Sequence, residues 1–123
     1  MSEVNLRSFG YQESTTVTAA TKTLAITDQG LVQDATPTGA TSVFTLPSTV
    51  VGYSFTIRVG SQGKTVSISP AALDLIAGND FTAADNKDLI FTNQTPGSFV
   101  TLTGDGTNGW NIVSISGTAT REA

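Results

Sequence analysis

Cysteine and histidine are both missing from this chain of 123 residues. Without cysteine there is no disulfide and no thiolate metal site. Without either residue, the commonest nucleophile–base pairs and every imidazole general base are excluded. Charge is scarce as well: Asp, Glu, Lys and Arg make up 13% of the sequence, about half the usual share for a globular domain. The cations Arg7, Lys22, Arg58, Lys64, Lys87 and Arg121 stand singly, against ten acidic residues and a net charge of −4. A nucleic-acid surface needs clustered cations to displace counterions from phosphates, and an anionic membrane surface needs the same, so neither partner is expected. No run approaches the roughly 18 apolar residues of a membrane span. The start, Met1 to Asn5, lacks the basic and apolar segments of a signal peptide. The expectation is a soluble protein made in a cytoplasm, leaving the cell only with a particle.

Helix signals are thin too. Pro70 before Ala71-Ala72-Leu73, and the capping-box spacing of Thr82-Ala83-Ala84-Asp85, each suffice for one turn. What fills the chain instead is Thr, Ser, Asn, Gln and Gly in a period of two. Tyr53, Phe55, Ile57 and Val59 alternate with Ser54, Thr56 and Arg58, the pattern of a half-buried strand. Thr65 to Ser69 repeats it after Gly60-Ser61-Gln62-Gly63, and the two runs read as a hairpin. Further strands are expected around Leu24 and Ile26, Leu31 to Gln33, Ser42 to Leu46, Asp88 to Thr92, Phe99 to Thr103 and Trp110 to Ile115. About eight short strands with regular turns predict an all-β fold of one domain. The long connection from Pro70 to Lys87 favours a jelly-roll-like antiparallel β-sandwich.

The first fourteen residues differ. Val4, Leu6, Phe9 and Tyr11 occur there without the dense Thr and Gly punctuation that follows. The division predicted is an extended N-terminal arm over 1–14 and a sandwich over 15–123. Such an arm is either a frayed terminus or a grip on a partner, ordering as it binds. In the second case Val4 and Leu6, alternating with Asn5 and Arg7, add as a strand to a neighbouring sheet, and Phe9 and Tyr11 supply aromatic anchors. Val4, Leu6, Arg7, Phe9 and Tyr11 are the candidate partner-binding residues.

No catalytic site is expected. Gly60-x-x-Gly63-Lys64-Thr65 ends like a phosphate-binding loop, but its first glycine is too close and a strand follows rather than a helix. Asn79, Asp80, Asp85, Asn86 and Asp88 offer oxygens that Ca²⁺ accepts, yet the spacing fits no EF-hand loop, and Asp and Asn equally cap turns. The expected cofactor and metal content is none. Asn93-Gln94-Thr95 fits a glycosylation sequon but reads as a polar turn before Pro96. Gly104 to Gly109 reads as a hairpin end, and Trp110 after it as a core residue rather than a sugar platform.

Leu46-Pro47, Val51-Gly52-Tyr53-Ser54-Phe55-Thr56-Ile57, Val66-Ser67-Ile68-Ser69-Pro70, Asp74-Leu75-Ile76-Ala77-Gly78, Gly97-Ser98-Phe99-Val100-Thr101-Leu102 and Gly109-Trp110-Asn111-Ile112-Val113 occur in that order. Over about Thr23 to Gly117 the chain resembles β-domains of tailed-bacteriophage virion proteins, most of all head decoration (cement) proteins. The resemblance implies a non-enzymatic homotrimer that binds the major capsid protein or another shell protein on the outer surface of the virion head and stabilises it. A small self-standing chain with an arm suits that role. Two other roles stay open: a tail fibre, spike or baseplate component, and a carbohydrate-binding module or adaptor.

Overall fold

The computed structural model of the chain describes residues 13–78 and 84–122. Eleven strands run through them: β1 (Glu13–Val17), β2 (Thr21–Thr23), β3 (Leu31–Ala35), β4 (Thr41–Thr45), β5 (Ser54–Val59), β6 (Thr65–Ser69), β7 (Leu75–Ala77), β8 (Leu89–Thr92), β9 (Phe99–Gly104), β10 (Gly109–Ser116) and β11 (Thr120–Arg121). One 3-10 turn, Ile26–Asp28, sits between β2 and β3. The strands form two sheets among the described residues, in the orders β1-β3-β5-β9-β10-β7 and β11-β8-β6-β4-β2. The protein is all-β, as its period-two pattern predicts, and its two sheets share one hydrophobic core.

That core is made by the alternation itself. Phe55, Ile57 and Val59 of β5 and Val100 and Leu102 of β9 face Phe44 of β4, Val66 and Ile68 of β6 and Leu89 and Phe91 of β8. All of these are almost fully buried, and Trp110 of β10 is buried completely. Its ring lies 5.5 Å from that of Phe55 at a tilt of 52°, within the range that aromatic pairs prefer. Trp110 is a core residue, as its place after a hairpin end suggests.

The connectivity departs from an antiparallel jelly roll. The first six strands alternate between sheets, odd-numbered ones in the six-stranded sheet and even-numbered ones in the other. Each return to a sheet comes after a full circuit, so the new strand lies parallel to the last one. β1, β3 and β5 pair in parallel, as do β2, β4 and β6. β7 and β10 are parallel too. Antiparallel pairing joins β5 to β9, β9 to β10, β6 to β8 and β8 to β11. The sheets are therefore mixed.

The expected hairpin of Tyr53–Val59 with Thr65–Ser69 is corrected for the same reason. β5 and β6 belong to opposite sheets, and the segment between them is an arch. Five residues at up to about 3.3 Å each reach across the roughly 10 Å between packed sheets as readily as they make a hairpin. Alternation states which face is buried, and both strands bury one face in either arrangement. The arch turns tightly at Gly60, whose amide donates to Ala35 O at 2.8 Å. A Cβ there would meet Ala35 O, Thr36 and Asp34 at 2.7–2.9 Å.

Other elements shift by smaller amounts. The sheets begin at β1 and β2, ahead of the strand expected at Leu24, because Thr-rich runs such as Glu13–Val17 bury little and leave little hydrophobic pattern. Ile26, expected in a strand, is exposed in the 3-10 turn. The stretch after Pro70 is a β-turn closed by Asp74 N to Ala71 O at 3.0 Å rather than a helical one.

Candidate binding surfaces

The arm residues Val4, Leu6, Arg7, Phe9 and Tyr11 lie outside the described residues, as does Asp80. The remaining acidic candidates do separate things. Asp85 is exposed in a turn. Asp88 accepts from Ser67 Oγ at 2.7 Å, its backbone N–H donates to Glu122 Oε1, and the Glu122 N–H donates to its carbonyl. Asp88 thus fastens β6, β8 and the C-terminal strand together. No group of three or more Asp, Glu, His or Cys side chains placed to hold a metal occurs among the described residues. Lys64, at the end of the loop that resembles a phosphate-binding one, donates instead to Gly39 O at 2.7 Å.

Two surfaces stand out that the sequence pattern did not single out. The first is one end of the sandwich, where three loops are tied together. Thr49 is the hub. Its N–H donates to Asp74 Oδ2 at 2.9 Å, its hydroxyl donates to Gly109 O at 2.6 Å, and the hydroxyl oxygen Thr49 Oγ1 accepts from Gly106 N at 3.0 Å. Asp105 closes the β9–β10 hairpin by accepting on Oδ1 from the N–H groups of Thr107, Asn108 and Gly109, at 2.7–3.0 Å. These bonds to the charged form hold the Asp105 pKa below its ordinary value, that from Gly109 contributing most.

On this tied scaffold three aliphatic side chains face water: Val50, Val51 and Leu73, the last two 73% and 81% exposed. Leu73 also has φ +72. It occupies the third position of the Ala71–Asp74 turn, where a positive φ calls for Gly or Asn. A bulky residue held there costs about 1–2 kcal/mol. Read as sequence, Ala71-Ala72-Leu73 passes for a helical start, so neither exposure nor strain was visible.

The second surface is the outer face of the six-stranded sheet. Ladder register lines up Ser14, Val32, Thr56, Thr101 and Ser114 in one row, and Thr16, Asp34, Arg58, Phe99 and Ser116 in the next. A recess of about 440 Å³ opens over the middle strands, lined by Val32, Ser54, Thr56, Arg58, Phe99 and Thr101. Arg58 Nε donates to Asp34 Oδ1 at 3.1 Å. The hydrogen bond to Asp34 raises the Arg58 pKa; burial pulls it down by less, and the charge of Asp34 adds a still smaller rise. The Thr56 and Thr101 hydroxyls lie 2.9 Å apart, one donating to the other. Ser54, Thr56, Arg58 and Thr101 read as ordinary polar face residues in the sequence, and Val32 and Phe99 as ordinary apolar strand residues. What brings them together is that β3, β5 and β9 are neighbours, which alternation does not reveal.

No protein-family model matches the chain, and no curated protein matches it in sequence.

Proposed function

We propose that this chain is a non-enzymatic structural protein of a virion, a decoration protein that attaches as a homotrimer to the outer surface of the capsid and strengthens the shell. The observation that supports the reading most is the apolar loop end. Val50, Val51 and Leu73 are exposed on loops fixed by side-chain hydrogen bonds to Thr49, Asp74 and Asp105, and the strain at Leu73 marks a side chain held outward at a cost. Apolar groups presented from a rigid frame favour protein contact, since little freedom is lost on docking. A surface poor in charge, rich in Thr, Ser and Asn, suits close packing against a neighbour as well.

In this reading the arm supplies a second grip. Val4, Leu6, Phe9 and Tyr11 pack on the major capsid protein, and three arms on one trimer attach at high effective concentration. The test is to locate a tagged copy on purified particles and to repeat the binding with residues 2–12 removed and with Leu73→Asn. Label spread at high copy over the head, lost on truncation and weakened by the point change, is the expected result. Label confined to the tail makes the chain a fibre, spike or baseplate component instead. A chain that stays monomeric and off the particles ends the proposal.

A further inference from the structure

We propose that the recess on the outer face of the six-stranded sheet is a binding site for a neutral sugar unit, centred on Arg58, Phe99 and the Thr56–Thr101 hydroxyl pair. This site is separate from the shell-binding surfaces above and does not depend on them.

The recess volume of about 440 Å³ falls in the roughly 300–1,000 Å³ range of small-molecule sites. Its floor is made by three adjacent strands, β3, β5 and β9, which hold side chains more firmly than loops do. Those strands are paired on both sides within the sheet. Their backbone groups are already bonded, so an extended peptide cannot add to this face as a strand. Recognition falls to side chains.

The side chains present form a mixed set of donors and acceptors around an aromatic ring. Arg58 commits its Nε–H to Asp34, and the guanidinium carries further N–H donors on its two terminal NH₂ groups. Asp34 offers carboxylate lone pairs beyond the one used. In the Thr56–Thr101 pair one hydroxyl proton is consumed and the other is available, and Ser54 adds a third hydroxyl. Phe99, half-buried beside Arg58, is the aromatic surface of the recess.

Charge decides the ligand class. The guanidinium and the Asp34 carboxylate are in contact at 3.1 Å, so the site is close to neutral. An anion such as phosphate would meet Asp34 as a like charge, and a cation would meet Arg58. A neutral ligand that carries several hydroxyls, each both donor and acceptor, and one face of C–H groups for the phenyl ring satisfies every group at once. A pyranose ring is that ligand.

The experiment applies the full chain to an array of immobilised oligosaccharides, then titrates the strongest-binding sugar, as its methyl glycoside, into isotope-labelled protein followed by amide NMR. The expected result is saturable shifts centred on Thr56, Arg58, Phe99 and Thr101. Phe99→Ala should weaken binding by about tenfold or more and Thr101→Val by a smaller factor, with Phe99→Tyr retaining it. Thermal melts establish that each variant is folded; should Phe99→Ala fail that check, Arg58→Gln and Thr101→Val carry the test. The assignment is overturned by an array without binding, by shifts that map to the loop ends rather than this face, by affinity indifferent to Phe99 and Thr101, or by inorganic sulfate displacing the glycoside from Arg58.

Discussion

Lys22 Nζ donates to Gln33 Oε1 across 2.6 Å, joining the two sheets at the end where β1 and β2 stand. Lys22 shares a register row with Phe44 and Ile68, so its side chain is aimed inward. Gln33 shares a row with Ile57 and is completely buried. The ammonium also meets Asp28 Oδ1 at 3.3 Å. The amide nitrogen of Gln33, by contrast, is buried without a partner. This end of the core is thus polar and incompletely satisfied; the one other buried side-chain nitrogen without a partner among the described residues is Trp110 Nε1.

A double-mutant cycle measures what that contact contributes. Lys22→Met strips the buried amide oxygen of its donor and should cost about 1–3 kcal/mol. Gln33→Leu removes the orphaned amide nitrogen along with the acceptor and should be close to neutral. In the Gln33→Leu background the cost of Lys22→Met should shrink, with a coupling of at least about 0.5 kcal/mol. Denaturant melts of the four proteins give the values. Strict additivity would mean that the two side chains act independently despite their distance.

Gly109 opens β10 beside Leu75 of β7, with φ +153. A Cβ there would stand 2.1 Å from Leu75 O and 2.4 Å from Leu75 N. Both atoms are backbone, so no rotamer change relieves the clash. Gly109→Ala should destabilise by about 1–3 kcal/mol or more through forced backbone movement. Because Trp110 pairs with Ile76 in the same ladder, the change should also alter Trp110 fluorescence in the native state. A neutral Gly109→Ala would mean that β7 can withdraw from β10 at little cost.

These contacts mark what the sequence made legible. Burial along β5, β6 and β9 follows from alternation, and Phe55, Ile57, Val66, Ile68, Val100 and Leu102 are inward as their spacing predicts. The unbroken apolar run Leu89-Ile90-Phe91, by contrast, suits a strand buried on both faces, whereas β8 buries Leu89 and Phe91 more than Ile90. The hairpin end at Gly104–Gly109 is likewise local, written in glycines and Asp105, and β9 and β10 do pair across it. Strand partners were not legible, because five residues after Val59 suit an arch as well as a hairpin. That one ambiguity separates a jelly roll from parallel circuits. It also hides the Arg58–Asp34–Phe99 row, since its members lie on three strands far apart in sequence.

Leu73→Asn tests whether the exposed leucine is retained for contact. Asn tolerates positive φ through its short polar side chain, so the substitution relieves strain and should raise stability by up to about 1 kcal/mol. Thermal melts read that gain. Particle binding, measured on the same preparation, should fall. A variant that is more stable and binds unchanged would show that Leu73 contributes nothing to attachment, leaving Val50, Val51 and the arm.

Asp105 should make the same end of the molecule sensitive to acid. Its carboxylate accepts from Thr107, Asn108 and Gly109, bonds that favour the charged form and lower its pKa in the folded protein. A group whose folded pKa lies below its unfolded one binds fewer protons folded than unfolded. Its stabilisation is therefore present above the ordinary Asp value, near about 4, and is lost as pH falls through the lowered native value. Asp105→Asn removes the charge while keeping a carbonyl acceptor. Melting temperatures of the two proteins should differ most above about pH 5 and converge in stronger acid. Amide NMR gives an independent reading, because the Thr107, Asn108 and Gly109 signals should shift together with one inflection below the usual Asp range. A gap between wild type and Asp105→Asn that stays constant down to strong acid would place the effect of the substitution in packing rather than in charge. Thr49 links this hairpin to the Val50–Val51 loop through Gly106. Protonating Asp105 should therefore loosen the apolar end as well, and particle attachment should weaken over the same acid range in the wild type but not in Asp105→Asn.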